Sequence, residues 1–240
     1  MQKMLGLMRK AITEFDLIED GDHIAVGVSG GKDSMVLLNG LHLLRRFIGI
    51  DYDITAVSID LQFQGIKTDF ETLQTFCKDL AIPFVLKNTQ IGEVVFSLRK
   101  EEHPCSLCAR MRRGALHDLA KENGCNKVAL GHHFDDAIET FMMNLFIEGR
   151  IGCFSPRSYL SRKDLTVIRP MALAPEKEII RAANRAGLPI VKNPCPVDGA
   201  TARQKMKNLL NTLEESNQGV KQRIFGAMRR AGVDGWQFRV

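Results

Sequence analysis

The sequence predicts an α/β fold: a parallel sheet covered by helices on both faces, with further helices at the C-terminus. Three observations carry that prediction. Apolar runs recur with little polar interruption, a helical pattern follows most of them, and a glycine-rich turn links the first run to its helix. Strands apolar throughout are buried on both faces, as parallel strands between two helix layers are.

The elements follow in order. Residues 1–20, MQKMLGLMRKAITEFDLIED, have helical periodicity and form an N-terminal helix. Acidic residues stand there in place of the apolar block and small-residue cleavage site of a secretory leader, so the expected location is cytoplasmic. A main domain spans 21–200. HIAVGV (23–28) is its first strand and DSMVLLNGLHLLRRF (33–47) the helix that follows; DITAVSID (53–60) is the second strand. In TDFE (68–71), Thr68 and Glu71 have capping-box spacing and open a helix to about Ala81. PFVLKN (83–88) is a third strand, CARMRRGALHDLAKENG (108–124) a helix, KVALGH (127–132) a fourth strand and DDAIETFMMNLFIEG (135–149) another helix. The stretch IGCFSPRSYLSRKD (151–164) reads as a mobile loop. Order resumes at VIRPM (167–171) and a helix from about Glu176 to Ala186. Residues 201–240 form a basic helical segment.

With 240 residues, 45% of them hydrophobic and 25% charged, the chain can bury an ordinary core. It has no apolar run of about 18 residues, so no membrane span is expected. The net charge of +5 lies wholly beyond residue 200, where eight Lys and Arg face three acids. Such a segment suits a polyanion or is a solvated helix face.

The first strand joins its helix through Ser29, Gly30, Gly31, Lys32, Asp33 and Ser34. Two glycines let the backbone approach an anion, the helix N-terminus offers N–H groups, and Lys32 adds charge. This is a phosphate cradle but not a Walker A loop, because Asp33 stands where Ser or Thr would follow the lysine. At GHHFDDAIET (131–140), Gly131 ends a strand and leaves room for a nucleotide. Asp135 and Asp136 open the next helix at the same sheet edge. They read either as Mg²⁺ ligands or, for Asp136 with Glu139, as a capping box.

Six cysteines in a chain of this length make no disulfide scaffold. Cys77, Cys125 and Cys153 read as small buried hydrophobes. Cys105 and Cys108, in the loop and first turn of a helix whose dipole would lower their pKa, form a CxxC pair. Cys195 lies between Pro194 and Pro196, which restrict its loop. Three readings are open: zinc with His103 as fourth ligand, a redox dithiol of Cys105 and Cys108, or a [4Fe–4S] cluster on three thiolates with one iron free of cysteine.

The complete SGGKDS string resembles the pyrophosphate loop of the N-type ATP pyrophosphatases. The series SGGKDS, PCSLCARMRRG, GHHFDDAIET, VIRP and a late cysteine before a basic helix resembles the TtcA-type tRNA thiolation enzymes over about residues 20–210. This implies a PP-loop ATPase fold (adenine nucleotide alpha hydrolase-like) and an ATP-dependent tRNA sulfurtransferase. The enzyme would adenylate the C2 oxygen of a tRNA base, cytidine at position 32 in the typical member, and replace it with sulfur. The implied ligands of a [4Fe–4S] cluster with one non-cysteine-ligated iron are Cys105, Cys108 and Cys195. Nucleotide contacts would come from Ser29, Gly30, Gly31, Lys32, Ser34, Ile59, Arg112 and Gly131, with Arg112 otherwise a solvated arginine. Lys32, Asp33, Asp135, Asp136 and the three cysteines would be catalytic, with Mg²⁺ on Asp135 and Asp136 and ATP as cosubstrate. The implied partners are tRNA, a sulfur donor (sulfide or a cysteine desulfurase persulfide) and a second copy of the chain in a homodimer. The basic segment with Arg110, Arg112 and Arg113 would contact tRNA phosphates. The chain lacks the terminal zinc-binding CxxC pairs of thiouridine-54 enzymes, and lysidine synthases lack its cysteine set. The alternatives are the same chemistry on another base, of the 2-thiouridine type, or a non-enzymatic ATP-binding iron–sulfur sensor.

Overall fold

The computed structural model describes residues 1–63, 68–99, 104–191, 195 and 201–237. Six strands form one sheet: β1 (Asp22–Gly27), β2 (Tyr52–Asp60), β3 (Phe84–Asn88), β4 (Lys127–Ala129), β5 (Arg157–Leu160) and β6 (Leu165–Ile168), in the order β3-β2-β1-β4-β6-β5. All neighbouring pairs are parallel except β5 with β6. The chain steps outward from β1 to β3 and then returns to place β4 on the other side of β1. The carboxyl ends of β1 and β4 therefore flank the point where the direction of winding reverses, the place where open α/β sheets bind ligands.

The helices are α1 (Gln2–Glu14), α2 (Lys32–Leu44), α3 (Phe70–Asp79), a short α4 (Ile91–Glu93) running into a π-helical turn, α5 (Pro104–Glu122), α6 (Phe134–Phe146), α7 (Glu176–Arg185), α8 (Ala202–Ser216) and α9 (Val220–Arg230). The main core lies where α1, α2 and α7 cover one sheet face: Met4, Met8, Ile12, Leu37, Leu41 and Ile179 are buried there with Ile24 and Val26. A smaller cluster under α5 covers the opposite face through Leu116, Leu119 and Val128. The C-terminal helices pack on α6 around Trp236, which is fully buried among Phe15, Phe154 and Phe225. Among the described residues no helix is long and apolar enough to cross a membrane.

Several local expectations are corrected. The cap of α3 is Asp69, not Thr68: its carboxylate accepts from the Thr72 N–H at 3.0 Å and from the Thr72 hydroxyl at 2.6 Å. Helix α5 begins at Pro104, so both CxxC cysteines are helical, three residues apart and on one face. β4 ends at Ala129, two residues before Gly131. The loop expected over 151–164 contains β5, an edge strand that hairpins onto β6. The capping box of α6 pairs His133 with Asp136, not Asp136 with Glu139: the His133 N–H donates to Asp136 Oδ2 at 3.0 Å, and the Asp136 N–H to His133 Nδ1 at 3.4 Å.

Candidate functional site

The loop after β1 is held by its own serines. Ser34 Oγ donates to the Gly31 carbonyl at 2.9 Å and lies 3.2 Å from Ser29 Oγ, and the Ser29 N–H donates to Ser34 Oγ at 3.2 Å. Gly31 is the N-cap of α2 and provides no side-chain cap, so the helix's first-turn N–H groups have no side-chain acceptor and can take an anion. Gly30 has φ +81°, and a Cβ there would stand 2.9 Å from Val191 Cβ. The Val191 N–H donates to the Gly30 carbonyl at 3.0 Å, so Val191 braces the loop from a second side. Gly131 serves a purpose the sequence did not suggest: a Cβ there would meet the Asp33 backbone at 3.2 Å, so the missing side chain makes room for the loop itself. Ile59 lies half-buried at the carboxyl end of β2.

Lys32 Nζ lies 3.1 Å from Asp33 Oδ2 and 3.0 Å from Glu176 Oε1. Burial lowers its pKa, but the Asp33 and Glu176 carboxylates outweigh burial and leave it raised, so the lysine is firmly charged. Glu176, at the start of α7, also accepts from Lys207 Nζ of α8 at 2.9 and 2.7 Å. Burial raises its pKa, yet hydrogen bonds from Lys207 and Lys32 bring it down to about 2. Asp33 Oδ1 is buried without a hydrogen-bond partner, and His133 Nε2 lies 3.8 Å away.

Both aspartates of GHHFDD have protein partners. Asp135 Oδ2 accepts from the Glu176 N–H at 2.8 Å, capping α7 from outside, and Oδ1 accepts from Lys221 at 3.0 Å. Asp136 Oδ1 pairs with Arg203 at 3.2 Å, and the same guanidinium reaches Glu139 at 3.4 Å and the Thr140 hydroxyl at 3.0 Å. Glu139 is buried, which pushes its pKa up to about 7; Asp136 and Asp135 add to that shift, and Arg203 opposes it. Burial and Arg169 hold His132 neutral, with Arg169 Nε donating to His132 Nδ1 at 3.3 Å.

These pairings change the picture of the basic segment. Arg203, Lys207 and Lys221 point inward at carboxylates, and Arg229 is buried against the Trp236 carbonyl and Glu14. Lys205, Arg223 and Arg230 stay exposed, as do Arg110, Arg112 and Arg113 on α5.

The cysteines sort by environment. Burial pushes the thiols of Cys77 and Cys125 up to about 11 and that of Cys153 up to about 12, as inert residues require. Cys105 is exposed, and Cys108 and Cys195 are half-buried. The Cys108 pKa is raised, against the lowering expected from the helix dipole: burial is the largest cause, Arg112 opposes it, and the neighbouring Cys195 and Cys105 thiols add to it. Cys108 thus lies within electrostatic reach of both Cys105, one helical turn away, and Cys195, distant in the chain. As they stand, the described residues contain no group of three His, Cys, Asp or Glu side chains gathered closely enough to hold a metal ion. His103, Pro194 and Pro196 lie outside the described residues.

A loop built for phosphates at the winding reversal of a parallel sheet, with charged Lys32 in its first turn, defines a nucleotide-binding α/β protein. A PP-loop domain model matches residues 4–213, and the chain belongs to that family. It is 40% identical over 222 residues, 91% of this chain and 86% of the relative, to a protein of Citrifermentans bemidjiense named tRNA-cytidine(32) 2-sulfurtransferase. A Geobacter sulfurreducens protein of the same name is 39% identical over 230 residues, 95% of this chain and 89% of the relative. Among solved structures, the U34-tRNA thiolase NcsA from Methanococcus maripaludis with its [4Fe-4S] cluster superposes with a TM-score of 0.75 at 24% identity, covering 94% of this chain and 77% of that one.

Sequence reasoning missed Glu176, Lys207, Arg203 and Lys221. Glu176 looked like an ordinary first-turn acid, and no local pattern joins it to a lysine on another helix. Nothing in the sequence gives His133 a partner, whereas the structure makes it the cap of α6 and sets it 3.8 Å from Asp33 Oδ1.

Proposed function

We propose that this protein is an ATP-dependent, cytoplasmic tRNA 2-sulfurtransferase acting on cytidine at position 32, the substrate in the names of its relatives. The observation that carries the reading is the uncapped start of α2 with charged Lys32 at the winding reversal of the sheet, in a chain that also sets Cys108 within electrostatic reach of Cys105 and Cys195.

Ser29, Gly30, Gly31, Lys32 and Ser34 bind the β and γ phosphates of ATP, and the uncapped start of α2 directs N–H groups at them. The base's C2 oxygen attacks the α-phosphate, the bond to the β-phosphate oxygen breaks, and pyrophosphate leaves. Lys32, kept charged by its carboxylate neighbours, stabilises the charge that develops on that leaving group. Asp33 fits a Mg²⁺ ligand through its buried, unpartnered Oδ1, and Mg²⁺ would neutralise phosphate charge. On this reading Asp33 takes the Mg²⁺ role expected of Asp135 and Asp136, whose oxygens accept from protein donors.

A sulfur nucleophile then forms a bond to C2, and the C2–O electron pair departs with AMP. With sulfide as donor, the exchange is redox-neutral. Cys105, Cys108 and Cys195 supply the thiol donors that a [4Fe–4S] cluster with one iron free of cysteine would need, and such a cluster, when bound, would supply a place to hold sulfur. Arg112, one turn beyond Cys108, favours the thiolate form that ligation requires. Exposed Arg110, Arg112, Arg113, Lys205, Arg223 and Arg230 are the cations available to tRNA phosphates.

The test is pyrophosphate release from ATP by the purified, cluster-bearing protein with and without tRNA. The reading expects release that depends on tRNA and is abolished in Lys32→Ala. Release without tRNA, or none with it, refutes it.

A further inference from the structure

We infer that Lys207 of α8 is a second triphosphate-binding cation, which meets the ATP phosphates from the side opposite the glycine loop and is held in place by Glu176 until they arrive. The inference rests on the ATP-binding reading above and extends it to a helix outside the loop.

The geometry is a three-part chain. Glu176 Oε1 lies 3.0 Å from Lys32 Nζ and 2.9 Å from Lys207 Nζ, so one oxygen bridges both ammonium groups. That sharing keeps the two cations within about 6 Å of each other, a distance at which like charges repel unless an anion lies between them. The carboxylate oxygen therefore occupies the position where a non-bridging phosphate oxygen would satisfy the same two donors. Lys32 is fixed by its place in the first turn of α2, so an anion that replaces Glu176 on Lys32 also comes within reach of Lys207.

Docking of α8 does not account for the pair. Met206 and Leu210, either side of Lys207, are buried with Phe134 and Met142 of α6, and Arg203 ties the start of α8 to Asp136, Glu139 and Thr140. The Lys207 side chain keeps 30% of its exposure, and a partly exposed ion pair adds little to stability. Glu176 needs neither lysine to be tolerated where it is, because an acid at the first position of α7 is favoured by the helix N-terminus. What the arrangement does supply is a cation whose bound anion can be exchanged.

The two residues then have opposite effects on ATP affinity, and mere docking cannot produce that split. Calorimetric titrations of the cluster-bearing protein with ATP and with AMP test it, using wild type, Lys207→Gln, Lys207→Arg and Glu176→Gln. We expect Lys207→Gln to bind ATP at least ~10-fold more weakly, the scale of one lost charge-assisted contact, with AMP affinity unchanged. Lys207→Arg retains most of the ATP affinity, and Glu176→Gln, freed of the competing carboxylate, binds ATP as tightly as wild type or more so. The inference falls if Lys207→Gln binds ATP like wild type, if it weakens ATP and AMP alike, or if Glu176→Gln weakens ATP. If Lys207→Gln does not fold, Glu176→Gln decides alone by the same criterion. Failure of wild type to bind ATP at all would instead overturn the ATP-binding reading.

Discussion

Glu139 gives the sharpest prediction about stability. It is buried on α6 with Asp136 and Asp135 nearby, and its pKa of about 7 stands above the ordinary 4.5. Below pH 4.5 both the folded and unfolded forms hold the proton. Between 4.5 and 7 the folded protein keeps a proton that the unfolded chain releases, so this residue's contribution falls as pH rises. The loss is complete above pH 7 and amounts to about 3 kcal/mol, at 1.36 kcal/mol per pKa unit. Glutamine keeps the shape and cannot ionise. Glu139→Gln is therefore expected to match wild type near pH 4.5 and to exceed it by about 2–3 kcal/mol at pH 8.5, less what the Arg203 contact contributes. Urea unfolding of both proteins at several pH values measures the difference, and the shared titration of Glu176 at lower pH cancels in it. A difference that does not change with pH, or a wild type more stable than the variant at pH 8.5, would show that Glu139 is an ionised partner of Arg203 and refute the reasoning.

Other expectations follow from the same contacts. Gly131→Ala pushes a Cβ into the Asp33 backbone and should cost about 1–3 kcal/mol, with ATP affinity reduced alongside thermal stability. Trp236→Ala should cost about 3–5 kcal/mol in denaturant unfolding, whereas Trp236→Phe loses chiefly the Nε1–H bond to the Phe154 carbonyl, about 1 kcal/mol. Cys108→Ser and Cys195→Ser should each strip iron and acid-labile sulfide from anaerobically purified protein, while Cys153→Ser should keep both. Because Arg203, Lys207, Lys221 and Arg229 are engaged internally, the salt dependence of tRNA binding should barely change in Arg229→Gln and flatten in Arg112→Gln.

Much of this was legible in the sequence because its signals are local. HIAVGV and DITAVSID are apolar runs that can only be buried strands, and the SGGKDS turn between strand and helix announces an anion site without help from tertiary structure. The hairpin strand β5 was hidden because RSYL alternates exposed with half-buried residues, as an edge strand does, and so lacks the apolar run that marked the others. The cap of α3 slipped by one residue because Thr68 and Asp69 both offer oxygens, and only geometry showed that the Asp69 carboxylate reaches the Thr72 N–H. Cys105 and Cys108 were legible as a pair, but the nearness of Cys195 to Cys108 is a tertiary relation that spacing does not encode. The Lys32–Glu176–Lys207 chain joins three helices, and no period or motif in one segment encodes a contact with another. The basic C-terminal count misled for the same reason: charge is visible in sequence, but the direction a side chain takes is not.

The measurement that bears most directly on the central claim is mass spectrometry of nucleosides from tRNA in cells lacking the gene, compared with cells complemented by wild type or by Cys195→Ala. The account predicts that 2-thiocytidine disappears on deletion, returns with wild type and stays absent with Cys195→Ala. An unchanged nucleoside profile in the deletion strain would contradict it.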